Sequence, residues 1–164
     1  MSSTIDQYLS EDHVRLDALL RAATGGEFDV DAFEEFRRGL LRHIGIEEKI
    51  LLPVARRQQL AVVEQLRIEH AALASLLVPS PDYALAREIA SLLQVHNGRE
   101  EGPYGIYAQC VKLAGADAPA LLERAIAVQP PPLAKHFDGA GVYRTAHEAL
   151  QAAERAAARR KERP

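Results

Sequence analysis

Cysteine is all but missing from this chain. Cys110 is the only one in 164 residues, so a single molecule can build neither an internal disulfide nor a thiolate metal cluster. A lone free cysteine is ordinarily a small buried apolar residue, and Cys110 is read as one. Long apolar runs are absent as well, and no stretch reaches the length needed to span a bilayer. The opening Met1-Ser-Ser-Thr-Ile-Asp-Gln has neither the basic nor the apolar region of a secretory signal, which gives the expectation of a cytoplasmic protein. Charge of one sign is also lacking. The net charge is −3 with acids and bases interspersed, which leaves no broad electrostatic surface for nucleic acid or a membrane. The one local excess, Arg155, Arg159, Arg160, Lys161 and Arg163, reads as a solvated helix end. Strand signals are equally scarce. Aromatics are 5% of residues, apolar and polar positions do not alternate for long, and no Asn-Gly or Asp-Gly pair joins two apolar runs, so the chain reads as all-α.

What is present is a set of amphipathic segments separated by breakers at Gly25-Gly26, Pro53 with the polar run after it, and Pro79-Ser80-Pro81. The first segment, about Ile5 to Ala23, carries Leu9, Leu16 and Leu20 on one face. The second, about Asp31 to Arg57, carries Phe33, Phe36, Leu40, Ile50 and Val54. The third, about Leu60 to Val78, has Val63, Leu66, Leu73 and Leu77, and the fourth, about Asp82 to Glu101, has Leu85, Ile89 and Leu92. Steps of three and four mark helices that each bury one face. Short connections make sequential neighbours antiparallel, which predicts an up-down-up-down four-helix bundle over residues 1–114. Residues 115–164 form a C-terminal helical extension packed on the bundle or trailing from it. Pro103 kinks or restarts a helix through Tyr104 to Leu113, Asp117 to Val128 reads as a further short helix, and Thr145 to Lys161 as a final Ala-rich one.

The gaps in these stripes are filled by residues foreign to a core. The second stripe is unbroken only if His43 and Glu47 are core positions. His70 completes the third, His96 and Glu100 continue the fourth, and His13 sits in the first. The histidines also share a depth. His13 and His43 are centred on position 28, His43 and His70 between 56 and 57, and His70 and His96 on 83, each beside a predicted turn. Glu47 and Glu100 follow their histidines by four residues, about 6 Å along a helix axis, so histidine and glutamate reach toward a common centre from one face.

An unpaired ion in a dry core costs several kcal/mol. A bound cation offsets that cost for both carboxylates and accepts a lone pair from each neutral imidazole. The alternative is a set of core histidines and glutamates satisfied by hydrogen bonds and water, which is strained for six at once. Imidazole and carboxylate without thiolate suit iron first, then manganese or zinc. Two glutamates able to bridge among four terminal nitrogens point to two ions rather than one.

With His13, His43-Ile-Gly-Ile-Glu47, Glu69-His70 and His96-Asn-Gly-Arg-Glu100 in place, the chain resembles the hemerythrin family, in particular the bacterial HHE cation-binding domains, over about residues 5 to 113. The resemblance implies a hemerythrin-like bundle with a non-haem di-iron centre. Glu47, Glu100 and an oxo or hydroxo group would bridge the irons, and His13, His43, His70 and His96 would be terminal ligands. It departs from the oxygen-carrying members at Ala74, where they have a further histidine. The open positions this leaves favour reaction with O2, nitric oxide or peroxide, in sensing, scavenging or storage, over reversible carriage. The competing reading is a regulatory or protein-interaction module whose metal is structural. As partners the expectation is a small diatomic ligand or peroxide and, for the chain itself, a monomer or homodimer.

Tyr104, one turn past Glu100, and Asp17 are candidates for hydrogen-bonding the ligands, as is Glu48. The ordinary readings of these residues are a core-edge tyrosine and exposed helix charges. His136 and His147 match no motif and are read as surface residues. Gly139-Ala-Gly141 follows no strand and is a poor dinucleotide signal.

Overall fold

The computed structural model describes residues 4–162. Arg163, the last member of the basic run, lies outside them. The elements are α1 (Ile5–Thr24), α2 (Val30–Ile46), a π-helical turn (Glu47–Leu51), α3 (Leu52–Arg57), α4 (Val62–Leu76), α5 (Tyr83–Glu100), α6 (Ile106–Ala114), a 3-10 turn (Gly115–Asp117), α7 (Ala118–Ala127) and α8 (Ala146–Lys161). There is no strand among the described residues, and no helix among them is long and apolar enough to cross a membrane.

The helix starts follow local chemistry. Asp29 accepts from the Ala32 N–H and Asp82 from the Leu85 N–H, each satisfying one of the amide donors that a helix leaves unpaired at its beginning. The segment predicted as one long second helix is a single rod with a defect. Pro53 has no N–H and its ring crowds the carbonyl one turn back. The chain widens by a π turn there, with the Leu52 N–H donating to the Glu47 carbonyl five residues earlier. Glu47 thus begins the irregular turn.

The bundle is α1, α2 with α3, α4 and α5. Helix α1 packs along α2 and also against α5, and α4 packs on α5. The apolar interior is in two parts. One contains Leu16, Phe33, Phe36, Leu40, Leu73, Leu76, Leu85 and Ile89; the other contains Ile5, Leu9, Ile46, Leu51, Leu66, Ile106 and Cys110. The buried polar residues His13, His43, Glu47, His70, His96 and Glu100 fall in sequence between them. Leu73 is fully buried in the first part. Leu73→Ala is expected to lower stability by about 2–5 kcal/mol in a urea titration, the usual cost of truncating a large core side chain.

The C-terminal elements lie on the bundle. Helix α7 packs on α1 and the π turn. Arg42 donates to the carbonyls of Ala125, Ile126 and Val128, so its guanidinium satisfies the carbonyls at the end of α7. The stretch between α7 and α8 is pinned to the α4–α5 turn: the Phe137 N–H donates to the Val78 carbonyl, Ser80 pairs with Asp138, and Arg144 pairs with Asp82. Helix α8 then runs along α4. It buries Ala149, Ala153 and Ala157, one at every fourth position, and these small side chains permit close approach.

Candidate metal centre

Helices α1, α2, α4 and α5 each bring a histidine inward, and the π turn after α2 and the end of α5 each add a glutamate four residues further on. Glu47 is fully buried, and His13, His43, His70, His96 and Glu100 are buried around it. The Nε2 atom of His13 lies 3.4 Å from Oε2 of Glu100, and that of His43 lies 3.3 Å from Oε1 of Glu47. On the other side Nε2 of His70 lies 3.1 Å from Oε2 of Glu47 and 3.8 Å from Oε1 of Glu100, and Nε2 of His96 lies 3.1 Å from Oε1 of Glu100. Two groups of donor atoms result, His13, His43, Glu47 and Glu100 in one and His70, His96, Glu47 and Glu100 in the other, with each group's atoms within 4.8 Å of one another. Both glutamates belong to both groups, and each turns one oxygen to either side.

The opposite edge of each imidazole is held by an acid. Nδ1 of His13 pairs with Glu101 at 2.5 Å, that of His43 with Asp12 at 2.9 Å, that of His70 with Glu48 at 2.8 Å, and that of His96 with Glu69 at 2.9 Å. Such a carboxylate fixes the ring tautomer, leaves the Nε2 lone pair free for a cation and increases its basicity. Three of these acids are anchored in turn: Arg15 donates to Asp12, Arg67 to Glu48, and Arg99 and Gln65 to Glu69.

These pairings reveal an internal twofold pattern. Asp12-His13 on α1 with His43, Glu47 and Glu48 on the next rod matches Glu69-His70 on α4 with His96, Glu100 and Glu101 on α5. The acid before the first histidine holds the second histidine of its own helix pair. The acid after each glutamate holds the first histidine of the other pair.

The two second-tier candidates from the sequence are corrected. Tyr104 is 90% exposed and reaches no donor. The helix stops at Glu100, and the turn through Gly102, whose φ is +83°, and Pro103 throws Tyr104 outward. Asp17 is exposed and pairs with Arg21 one turn along its own helix. The residue that reaches the site from this part of the chain is Tyr107, whose hydroxyl contacts His13, His43, Glu47 and Glu100. Gly105 makes this possible, because a Cβ there would come within 2.2 Å of the Glu100 carbonyl oxygen and 2.3 Å of that of Glu101. His136 is not a free surface residue, since it pairs with Glu34 on α2, whereas His147 is exposed.

The electrostatics favour positive charge. Burial pushes Glu47 and Glu100 up, and the two carboxylates oppose each other, yet the surrounding imidazoles hold Glu47 well below the usual carboxylate range and Glu100 down to about 2. Burial pushes His43 and His96 down, but Glu47 and Asp12 around the first and Glu100 and Glu69 around the second raise them to about 10 and about 9. An interior that draws protons this strongly onto its imidazoles attracts cations for the same reason. Oε2 of Glu47, Nε2 of His70 and Oε1 of Glu100 are among the buried atoms that meet no partner in hydrogen-bond geometry. All three belong to the second donor group, and an ion there would satisfy them together.

Fold and site define the class: an all-α bundle whose interior brings histidine and glutamate together in two groups that could hold a metal ion. The chain belongs to the hemerythrin HHE cation binding domain family, whose model matches residues 4–105. No curated protein and no solved structure matches it.

Loss of an acid behind an imidazole typically weakens metal binding about 10–100-fold. Asp12→Ala is therefore expected to lower affinity by that factor in a chelator-competition titration, while Asp17→Ala leaves it unchanged.

Proposed function

We propose that this chain is a non-haem di-iron protein that binds or reacts with a small ligand such as O2, nitric oxide or peroxide. Its ligands would be His13 and His43 at one iron, His70 and His96 at the other, and Glu47 and Glu100 across both. The observation that carries this reading is the division of each buried glutamate between two histidine pairs. One ion would leave half of these oxygens without a partner. Nitrogen and carboxylate donors without a thiolate fit iron, with manganese or zinc as the next choices.

When bound, the irons supply electron transfer and open coordination sites. The chain's own residues do the rest. Asp12, Glu48, Glu69 and Glu101 orient the imidazoles, and the apolar layers on either side keep bulk water from the donors. Ala74, one turn after His70, offers no donor, which supports reaction at an open position over closed structural ligation.

Metal analysis of protein from iron-replete cells tests the proposal. It requires about two irons per chain and charge-transfer absorption in the near ultraviolet that changes on exposure to O2 or nitric oxide. A colourless, iron-free protein from such cells would overturn it. His70→Ala separates reactivity from a structural role: if the metal only supports the fold, the variant unfolds rather than losing its spectral response while remaining helical.

A further inference from the structure

The two metal positions are related by the twofold pattern of the bundle, and α6 breaks that relation. Tyr107 is 1% exposed. Its hydroxyl oxygen lies 3.2 Å from Nε2 of His13, 3.2 Å from Nε2 of His43 and 3.2 Å from Oε2 of Glu100, and it contacts Oε1 of Glu47. It thus touches all four donor atoms of the first position. At the second, three of the four corresponding atoms, Oε2 of Glu47, Nε2 of His70 and Oε1 of Glu100, are among the buried atoms that meet no partner in hydrogen-bond geometry.

A phenol in this place has a chemical consequence. It has one proton to donate, and with an ion at the first position the surrounding imidazole nitrogens have none to give in return. An oxygen crowded among lone pairs is repelled unless it faces the same cation. Donors at right angles around one ion, with bonds of about 2.1 Å, stand about 3 Å apart. The 3.2 Å separations around Tyr107 therefore match neighbouring members of one coordination shell.

We propose that the Tyr107 oxygen is a fifth protein ligand at the His13/His43 position, and that the small ligand consequently binds at the His70/His96 position. On coordination the phenolic O–H bond is replaced by an oxygen–metal bond and the proton passes to solvent, with no electron transferred. The first position then has five protein donors and the second has four. Behind His70, on the side of Glu48, lies a cavity of about 470 Å³ with Ile44, Arg67, Ala71 and Lys161 among its lining residues. This inference rests on the di-iron reading above and adds to it an unequal pair.

The test uses the full chain loaded with iron(III), with iron content measured alongside the spectra. The unaltered protein should show a phenolate-to-iron charge-transfer band in the visible and tyrosinate ring modes in resonance Raman. Tyr107→Phe should lose both while keeping about two irons, and Tyr104→Phe should keep both. Azide should bind once per centre in the unaltered chain and twice in Tyr107→Phe. If Tyr107→Phe does not fold, ring-deuterated tyrosine in the unaltered chain decides, because the Raman modes shift only if a tyrosine is coordinated. Two irons per chain without tyrosinate modes would overturn the proposal, with the ion pushing the hydroxyl aside, and leave the di-iron reading standing. A chain that takes up no iron would overturn both.

Discussion

If the centre holds two ions as proposed, replacing Glu47 by leucine is expected to reduce the metal content to one ion per chain or none and to lower the melting temperature by about 10 °C. The side chain is completely buried, and its two oxygens face different histidine pairs, so a single substitution removes a donor from both positions. Leucine fills similar space, which keeps cavity formation out of the result. The remaining effect is electrostatic. His43 and His70 lose the carboxylate that stabilises their charge or shares their ion, and breaking a buried ionic cluster from one side costs about 3–5 kcal/mol. In a domain of this size each kcal/mol is worth about 2–4 °C. Elemental analysis and a thermal melt on the same sample check the two effects together. Retention of both ions would mean that Glu47 is not shared between them.

The second large effect concerns pH, and its sign depends on whether metal is present. In the metal-free chain His43 and His96 are raised, to about 10 and about 9, so the folded state holds protons that the unfolded chain releases near pH 6.5. The stability they contribute is fully present below about pH 6.5 and is lost as pH climbs through 9 to 10. Between pH 7 and 9 each such histidine contributes a decline of up to about 1.4 kcal/mol per pH unit. Glu100, lowered to about 2, acts oppositely: its contribution is present above about pH 4.5 and is lost toward pH 2. The metal-free protein should therefore be most stable between about pH 4.5 and 6.5. Ions compete with those same protons, so the loaded protein should not show the alkaline decline, and the gap between loaded and metal-free melting curves should widen from pH 6 to pH 9. A gap that narrows over that range would mean that the histidines do not bind the ions.

Much of this architecture could be read along the chain. Apolar steps of three and four predicted α1, α4 and α5 to within about two residues of their ends, because each helix has one long face to bury. The same steps singled out His13, His43, Glu47, His70, His96 and Glu100 as inward-facing, and the structure buries all six. Periodicity states which way a side chain faces, but not which neighbouring helix it meets. Asp17 stands four residues after His13 on the same helix and looked available to it. The imidazole edge is instead presented sideways to Glu101, while Asp12, one residue before His13, turns to α2 and His43. Tyr104 was singled out by carrying the α5 rhythm past Glu100. The chain leaves the helix at Glu101 and enters α6 only at Ile106, so the phase is reset and Tyr107 returns to the interior. The π turn was hidden for a similar reason. Pro53 marks a break, but whether a helix ends there or merely widens depends on packing around it.

The exchange of acids between the two helix pairs has a consequence for how such a centre can arise. A single helical hairpin of this pattern holds two imidazoles, one inward glutamate and both kinds of supporting acid. It has half of everything, and the half it lacks is a copy of itself. Two identical hairpins meeting face to face would complete one symmetric centre without any new side chain. Joining them in one polypeptide frees each half to diverge, which a self-paired hairpin cannot do.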